Sequence, residues 1–340
     1  MDQSNGRPRR PTVFDVAKTA GVSRGTVSRY VNGKPYVSET AKKSIEAAIR
    51  EVGYAPNSAA LSLVRQRSGN IAFIVHESHD MFFEDPNLTR MVIGANRVLS
   101  ENDVQLILLI IDSDRAIRRI ANSLRGGYVD GAILASVRSE DPLLTIVNDL
   151  RLPAALAGHP NVESSVPYVD VDNERGAEEI TRRLVATGRR RVAMIMGPTD
   201  MPLTGARLAG FRAALGHEFD ESLVIPTADW SHASGVAAMG ELLHRSPDID
   251  GVFGACDAIA IGAIDTLRAA GRSVPGDVGV VGFDDSPWAT RSVPHLSTVS
   301  RSSGELGARM ADMVLRQLNG EDLSNAFEVL PTRIAWRDSA

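Results

Sequence analysis

Between residues 70 and 300 short apolar runs alternate with longer amphipathic stretches, and that alternation leaves few folds open. The apolar runs fall at 71–75, 104–111, 131–135, 154–157, 192–196, 223–225, 251–254 and 278–283. Helical patterns separate most of them, at 88–100, 116–125, 143–150, 174–187, 206–215, 233–244 and 257–270. Apolar strands spaced by helices build parallel sheets with helices on both faces. The series is too long for one comfortable sheet and divides near 171–173. Beyond it the chain runs through 296–299 into a helix at 305–319 and a last strand at 327–330. The expected architecture is a pair of α/β doubly wound lobes, 70–171 plus 301–325 and 172–300 plus 326–340. Clefts between such lobes are where ligands bind.

The first 69 residues have a different texture. Residues 1–67 carry 12 Lys and Arg against 5 Asp and Glu, whereas the remainder carries 25 against 37. The chain is slightly acidic overall, at −5, yet it has a basic head on an acidic body. That distribution suits a polyanion-binding module joined to a body that stays off nucleic acid, although basic heads also serve as solubilising tails. The longest apolar run, 104–111, is too short to span a membrane. The N-terminal residues lack the apolar core of a secretory signal. The single cysteine, Cys256, excludes an intrachain disulfide and any cysteine-built zinc site. A cytoplasmic protein without membrane association is expected.

Within the head, residues 12–32 carry the pattern of a helix-turn-helix. Helices are expected at 14–20, 23–32 and 38–51. Ala17 is small where two helices must approach, and Gly21 supplies the positive φ that a tight inter-helix turn needs. Val16, Val22 and Val27 are spaced to form a small core. Ser23 can cap the second helix and aim its N–H groups at a phosphate. Arg24, Gly25 and Arg29 are left on the outer face, and arginine is the commonest bidentate reader of guanine. Thr26 and Ser28 are short hydroxyl donors suited to phosphate oxygens. The plainer alternative is a small helical bundle with solvated arginines.

The runs Asp15-Val16-Ala17, Ala20-Gly21-Val22-Ser23, Thr26-Val27-Ser28-Arg29 and Val31-Asn32 resemble the signature of the lac repressor/purine repressor family of transcriptional regulators. So does the run from Tyr54-Ala55-Pro56-Asn57 to Leu63. The resemblance covers essentially the whole chain. It implies an N-terminal all-α helix-turn-helix domain with a hinge helix, followed by two periplasmic-binding-protein-like lobes. The tail would be 1–11, the DNA-binding domain 12–56, and the hinge helix and linker 57–69. By position, Arg24, Gly25 and Arg29 would face bases, with Thr12, Ser23, Thr26, Ser28 and Asn32 on or near the DNA backbone. Glycine at 25 departs from the pattern, since that position often carries a base-reading side chain. In the hinge, Asn57 opens the helix, Ala60 would lie on the minor-groove floor, and Leu63 would wedge into the central base step. The alternative is that the hinge leucines are linker residues packed on the sensor.

The same resemblance places effector contacts at Phe82, Phe83, Arg207, Trp230, Asp257 and Asp284. These are the parts of a sugar site: carboxylate and guanidinium for vicinal hydroxyls, aromatic faces for the apolar side of a pyranose. Each has a plainer alternative. Trp230, Phe82 and Phe83 suit core packing, Arg207 and Asp284 a structural ion pair, and Asp257 a helix cap. Cys256 stands where many relatives place a polar Asn or Ser. His76, His79, Glu84 and Asp85 crowd the first cleft loop, but their spacing matches no established metal site, so a pocket rim is expected.

The expected partners are a palindromic double-stranded DNA operator, a small-molecule effector of the sugar class, and a second copy of the chain paired through the helix at 88–100. The chain stops soon after its last strand without a heptad tail, which points to a dimer rather than a tetramer. No cofactor, metal or catalytic residue is expected. A nucleobase effector and a solute-binding protein without DNA function stay open. An enzyme is disfavoured by the lack of a Gly-x-Gly-x-x-Gly after a strand, a phosphate loop or a nucleophile elbow. Asp284 and Asp285 are neighbours at a strand end and so point apart.

Overall fold

The computed structural model describes residues 9, 11–32, 35–54, 67–160, 162 and 164–340. The chain divides into two units, Met1–Gly69 and Asn70–Ala340. Residues 57–66 of the expected hinge, with Asn57, Ala60 and Leu63, lie outside the described residues. Among the described residues no helix is long and apolar enough to cross a membrane.

The first unit is built from helices α1 (Val13–Ala20), α2 (Arg24–Val31) and α3 (Glu39–Val52). The starts of α2 and α3 are each set by a short polar side chain. The Ser23 hydroxyl accepts from the Thr26 amide at 3.1 Å, and the Ser38 hydroxyl from the Ala41 amide at 3.3 Å. Gly21 ends α1 at φ 65° with open space around it, so the backbone conformation rather than crowding calls for glycine. Val16, Val27, Ile45 and Ala48 are wholly buried and, with Ala17, join the three helices.

The second unit holds two six-stranded sheets. The first contains β1 (Asn70–Val75), β2 (Gln105–Ile110), β3 (Gly131–Ala135), β4 (Ala154–Ala157), β5 (Tyr168–Val171) and β11 (Phe327–Leu330) in the order β11-β5-β4-β3-β1-β2, all parallel. The second contains β6 (Val192–Ile195), β7 (Val224–Ile225), β8 (Gly251–Gly254), β9 (Gly279–Asp284), β10 (Ser297–Ser300) and β12 (Arg333–Ala335) in the order β12-β10-β9-β8-β6-β7. Only β12 runs antiparallel there, against β10. Around the first sheet lie α4 (His79–Glu84), α5 (Pro86–Glu101), α6 (Asp114–Arg125) and α7 (Pro142–Leu150). Around the second lie α8 (Asn173–Ala186), α9 (Pro202–Leu215), α10 (His232–Arg245), α11 (Asp257–Ala269) and α12 (Pro287–Arg291). Helix α13 (Ser303–Leu318) returns to pack on the first sheet.

Burial explains the continuous apolar runs. Ile71, Phe73 and Val75 of β1 enter one core layer and Ala72 and Ile74 the other, so both faces of the sheet are covered. The chain crosses between the lobes after β5, after β10, and between β11 and β12. Strand β11 differs from the expectation that 326–340 lies wholly in the second lobe. It pairs with β5, Phe327 opposite Tyr168 and Leu330 opposite Val171. Leu330 fills the first lobe's core, and the Phe327 ring stacks on Tyr168 at 5.5 Å.

Candidate functional site

On α2, Val27 is wholly buried, which fixes the helix's rotation. At about 100° per residue, the opposite arc is centred on Gly25 and Arg29. On that wheel Asn32 and Ser28 lie about 40° and 80° to one side of the centre and Thr26 about 80° to the other, while Arg24, in the first turn, stands about 120° away. Arg24, Gly25, Ser28 and Arg29 are exposed, and Thr26 and Asn32 are half-buried. Among the described residues neither the Arg24 nor the Arg29 guanidinium has a hydrogen-bond or ion-pair partner. The hydroxyls are engaged locally. Ser23 and Thr26 share a 2.9 Å hydrogen bond, and Asn32 Nδ2 donates to Ser28 Oγ at 3.2 Å. The Thr12 amide and hydroxyl both donate to the Asp15 carboxylate at 2.7 Å, which holds that carboxyl below its ordinary range. A Cβ built on Gly25 would meet nothing closer than Ser23 Oγ at 3.6 Å, so the fold itself does not require glycine there.

In the second unit the strand ends of both sheets face one cavity that, with its open mouth, encloses about 1240 Å³. Four of the six expected effector residues line it: Arg207, Trp230, Asp257 and Asp284. Phe82 and Phe83 do not. They are neighbours on α4, so one turns inward and the other outward. Phe82 is buried in the first lobe's core, and Phe83 is 77% exposed and lines a separate groove.

The cavity's polar floor is a shared network. Arg207, on α9, donates from Nε to Asn173 Oδ1 at 2.9 Å and from Nη1 to the Ala255 carbonyl at 2.5 Å. Its Nη2 lies 3.5 Å from Asp284 Oδ1, and its guanidinium sits 3.7 Å from the centre of the Phe283 ring. Arg301, on the crossing after β10, donates from Nε to the same Asp284 oxygen at 2.6 Å. Asp284 therefore stands between two buried cations. It ends β9 at φ 113°, with Asp285 following at 53°, a strained backbone for non-glycine residues. Burial brings the Arg207 guanidinium down to about 10 against the pull of Asp284.

Asp257, at the start of α11, is committed to the fold on both oxygens. Thr298 Oγ1 donates to one at 2.5 Å and the Ser286 amide to the other at 2.6 Å. Burial, with the Asp284 charge beside it, pushes this carboxyl up to about 8. Asp85 and Asp170, from the first lobe, are also raised by burial. The Cys256 thiol is pushed up by burial and donates to the Trp230 carbonyl at 3.5 Å. Trp288 lines the cavity with His232 stacked on it at 5.8 Å. Of the crowded first loop, Glu84 and Asp85 line the cavity. His76 and His79 are instead tied to Asp141 and Asp112 at 2.6 and 3.2 Å. Among the described residues no cluster of His, Cys, Asp or Glu has a metal-holding arrangement.

Residues 12–57 match the model for bacterial regulatory proteins of the lacI family, and 181–340 match a periplasmic binding protein-like domain. Over 338 residues the chain is 41% identical to the HTH-type transcriptional regulator CelR of Thermobifida fusca, covering 98% of this chain and 99% of that protein. It is 32% identical to the ribose operon repressor of Halalkalibacterium halodurans, with 96% of each chain covered. Among solved structures, the transcriptional regulator CelR–cellobiose complex matches with a TM-score of 0.78 and 39% identity, covering 97% of this chain and all of that one. The chain belongs to the lacI family. It is a DNA-binding transcriptional regulator and not an enzyme.

In this regulator, sequence reasoning missed the cavity residues Arg301, Asp170, Glu77 and Trp288. Arg301 follows a short strand at a lobe crossing and Asp170 interrupts one, so neither carries a periodic signal. Trp288 had a signal available: an aromatic just after Pro287 beyond a buried strand end.

Proposed function

We propose that this regulator is a homodimeric repressor of a palindromic operator, and that a neutral sugar bound between the lobes sets its operator affinity. The observation that carries the effector half is the Arg207–Asp284–Arg301 array beside Trp230. Its two guanidiniums share the Asp284 carboxylate, and Asp85 and Asp170 add their charge from the first lobe, so the site offers donors and acceptors to hydroxyls rather than free positive charge to an anion. The cavity also receives Glu77, Glu84, Asp85 and Asp170, which makes a phosphorylated or acidic ligand a poor fit. Trp230 and Trp288 give two aromatic faces for sugar rings. The similarity to a regulator solved with cellobiose makes a disaccharide of that kind the first candidate.

On the DNA, Arg24 and Arg29 take the bidentate base contacts, and Gly25 leaves room for close approach. Thr12, Ser23, Thr26, Ser28 and Asn32 address the backbone, with the α2 N-terminus offering its N–H groups to a phosphate. Asn57, Ala60 and Leu63 keep their minor-groove roles in this reading. Homodimerisation is supported by apolar surface left open on the sensor. Ile93 of α5 is 64% exposed and Val293 68% exposed, and the apolar edge strand β2 is only half-covered.

The test is a thermal-shift series with cellobiose, ribose, glucose 6-phosphate and adenine. A bound ligand raises the melting temperature by mass action. A shift with a neutral sugar is expected; a shift with the phosphorylated sugar or adenine alone overturns the effector reading.

A further inference from the structure

The cleft is joined on two sides. The crossings lie at the β5/β11 edge of the first sheet and the β10/β12 edge of the second. Far from that hinge, the loop after β3 meets the loop after β6. Arg138 Nη1 donates to Asp200 Oδ2 at 2.5 Å, and the Ser139 amide donates to the Asp200 carbonyl at 2.9 Å. Strand β3 stands two places from β5, and β6 three places from β10, so this contact bridges the mouth of the cleft away from the crossings. The residues beside the clasp, Val137 and Met201, line the cavity. A ligand inside therefore sits behind it.

A third group makes the clasp a choice rather than a fixture. Glu77, in the loop after β1 on the same lobe as Arg138, lines the cavity and is nearly buried. Its Oε2 lies 3.8 Å from Arg138 Nη2, at the limit of an ion pair, while Asp200 holds the other nitrogen. Arg138 thus has one carboxylate partner in its own lobe and one across the cleft. Burial raises the Glu77 carboxyl to about 7, with Arg138 opposing and Asp85 adding to it, so Asp200 is the easier partner while the mouth is shut. When the lobes part, Asp200 leaves and water reaches Glu77. Desolvation then eases, and Glu77 becomes the partner that remains.

We propose that Arg138 is a two-position latch, bound to Asp200 when the cleft is closed and to Glu77 when it is open, and that it sets how long an effector is retained. The retention part rests on the effector reading above; the latch itself does not. A bistable contact of this kind is what converts a local event into a lobe movement. Arg138 and Asp200 are retention residues, not ligand contacts, since neither lines the cavity.

The experiment has a ligand-free arm and a ligand arm, both on the full chain. Amide hydrogen exchange at Ser139 reports the mouth directly. Because exposed ion pairs are weak, Arg138→Ala and Asp200→Ala are expected to speed that exchange by roughly two- to fivefold. The charge swap Arg138→Asp with Asp200→Arg restores it. Glu77→Gln moves it the other way, since the open state loses its partner. Unchanged exchange in Arg138→Ala, or Glu77→Gln acting in the same direction as Arg138→Ala, overturns the latch. In the second arm, stopped-flow dissociation of cellobiose quickens and slows in the same order across these variants. If wild-type protein binds no cellobiose, the effector reading fails while the exchange arm still decides the latch.

Discussion

The arginines of the two units are used in opposite ways. In the reading head, Arg24 and Arg29 stand exposed and without partners among the described residues. In the cleft, Arg207 is buried, Arg301 is largely covered, and both converge on Asp284. A free, solvated guanidinium contributes little to folding and is ready for an anion such as a phosphate or for a guanine edge. A buried guanidinium cannot be left alone, so the fold must match it, and the matched array then presents both donors and acceptors to a ligand. On the proposed function, the same residue type serves binding in one unit and both folding and binding in the other.

The largest effect expected from this contrast is on stability. Arg207→Ala leaves Asp284 with Arg301 alone and strips Asn173 and the Ala255 carbonyl of a buried donor, at a cost of about 1–3 kcal/mol for each unsatisfied group. Calorimetry should show the Asn70–Ala340 unit melting far lower. Arg24→Ala and Arg29→Ala should leave the melting temperature where it is. Equal melting of all three variants would erase the distinction.

Next in size, Arg24→Ala and Arg29→Ala should each weaken operator binding by about 1–3 kcal/mol at fixed salt and relax discrimination at one base position. A uniform loss across all sequences, accompanied by a shallower salt dependence, would make them phosphate contacts instead.

The buried carboxyls separate the units by pH. Glu77 and Asp257 are raised by burial to about 7 and about 8, so the folded sensor holds protons that the unfolded chain releases. Their contribution is fully present below the ordinary carboxylate range and is lost as pH rises through 7 and 8. Denaturant titrations from pH 5 to 8.5 should show sensor stability falling, with a flatter profile in Asp257→Asn. A rise over that window would contradict the assignment.

The smallest effect concerns Gly25. Its surroundings admit a methyl group, and alanine is the better helix former, so Gly25→Ala should stabilise the head by roughly 0.5–1 kcal/mol. If operator binding weakens at the same time, the glycine is kept for the DNA and not for the fold.

The head was legible because its signals are local. Thr12, Ser23 and Gly21 each act within a few residues of their own position. The strands were legible as apolar runs, but their assignment to lobes was not. Strand β11 went to the wrong sheet because its partner β5, Tyr168–Val171, is four residues with an aspartate inside and does not read as a strand. In the cleft, Arg207, Trp230 and Asp284 were found by resemblance and do meet. Phe82 and Phe83 were expected together, yet adjacent helical residues point about 100° apart and only one can enter a given space. Asp257 was read both as a cap and as a ligand contact. The structure gives its oxygens to Thr298 and Ser286, a long-range pairing that no spacing in the sequence announces. Arg301 and Glu77 matter only once the lobe crossings have folded.

On the proposed function, what fills the cleft controls what the head binds. The direct measurement is the affinity of the full-length regulator for a palindrome selected in vitro, at one fixed salt concentration, with and without saturating cellobiose. Coupling of this kind typically amounts to about 1–3 kcal/mol, so a five- to 150-fold change is predicted, and none in a Trp230→Ala variant that no longer binds the sugar. Equal operator affinity in both conditions, with cellobiose shown by calorimetry to be bound, would contradict it.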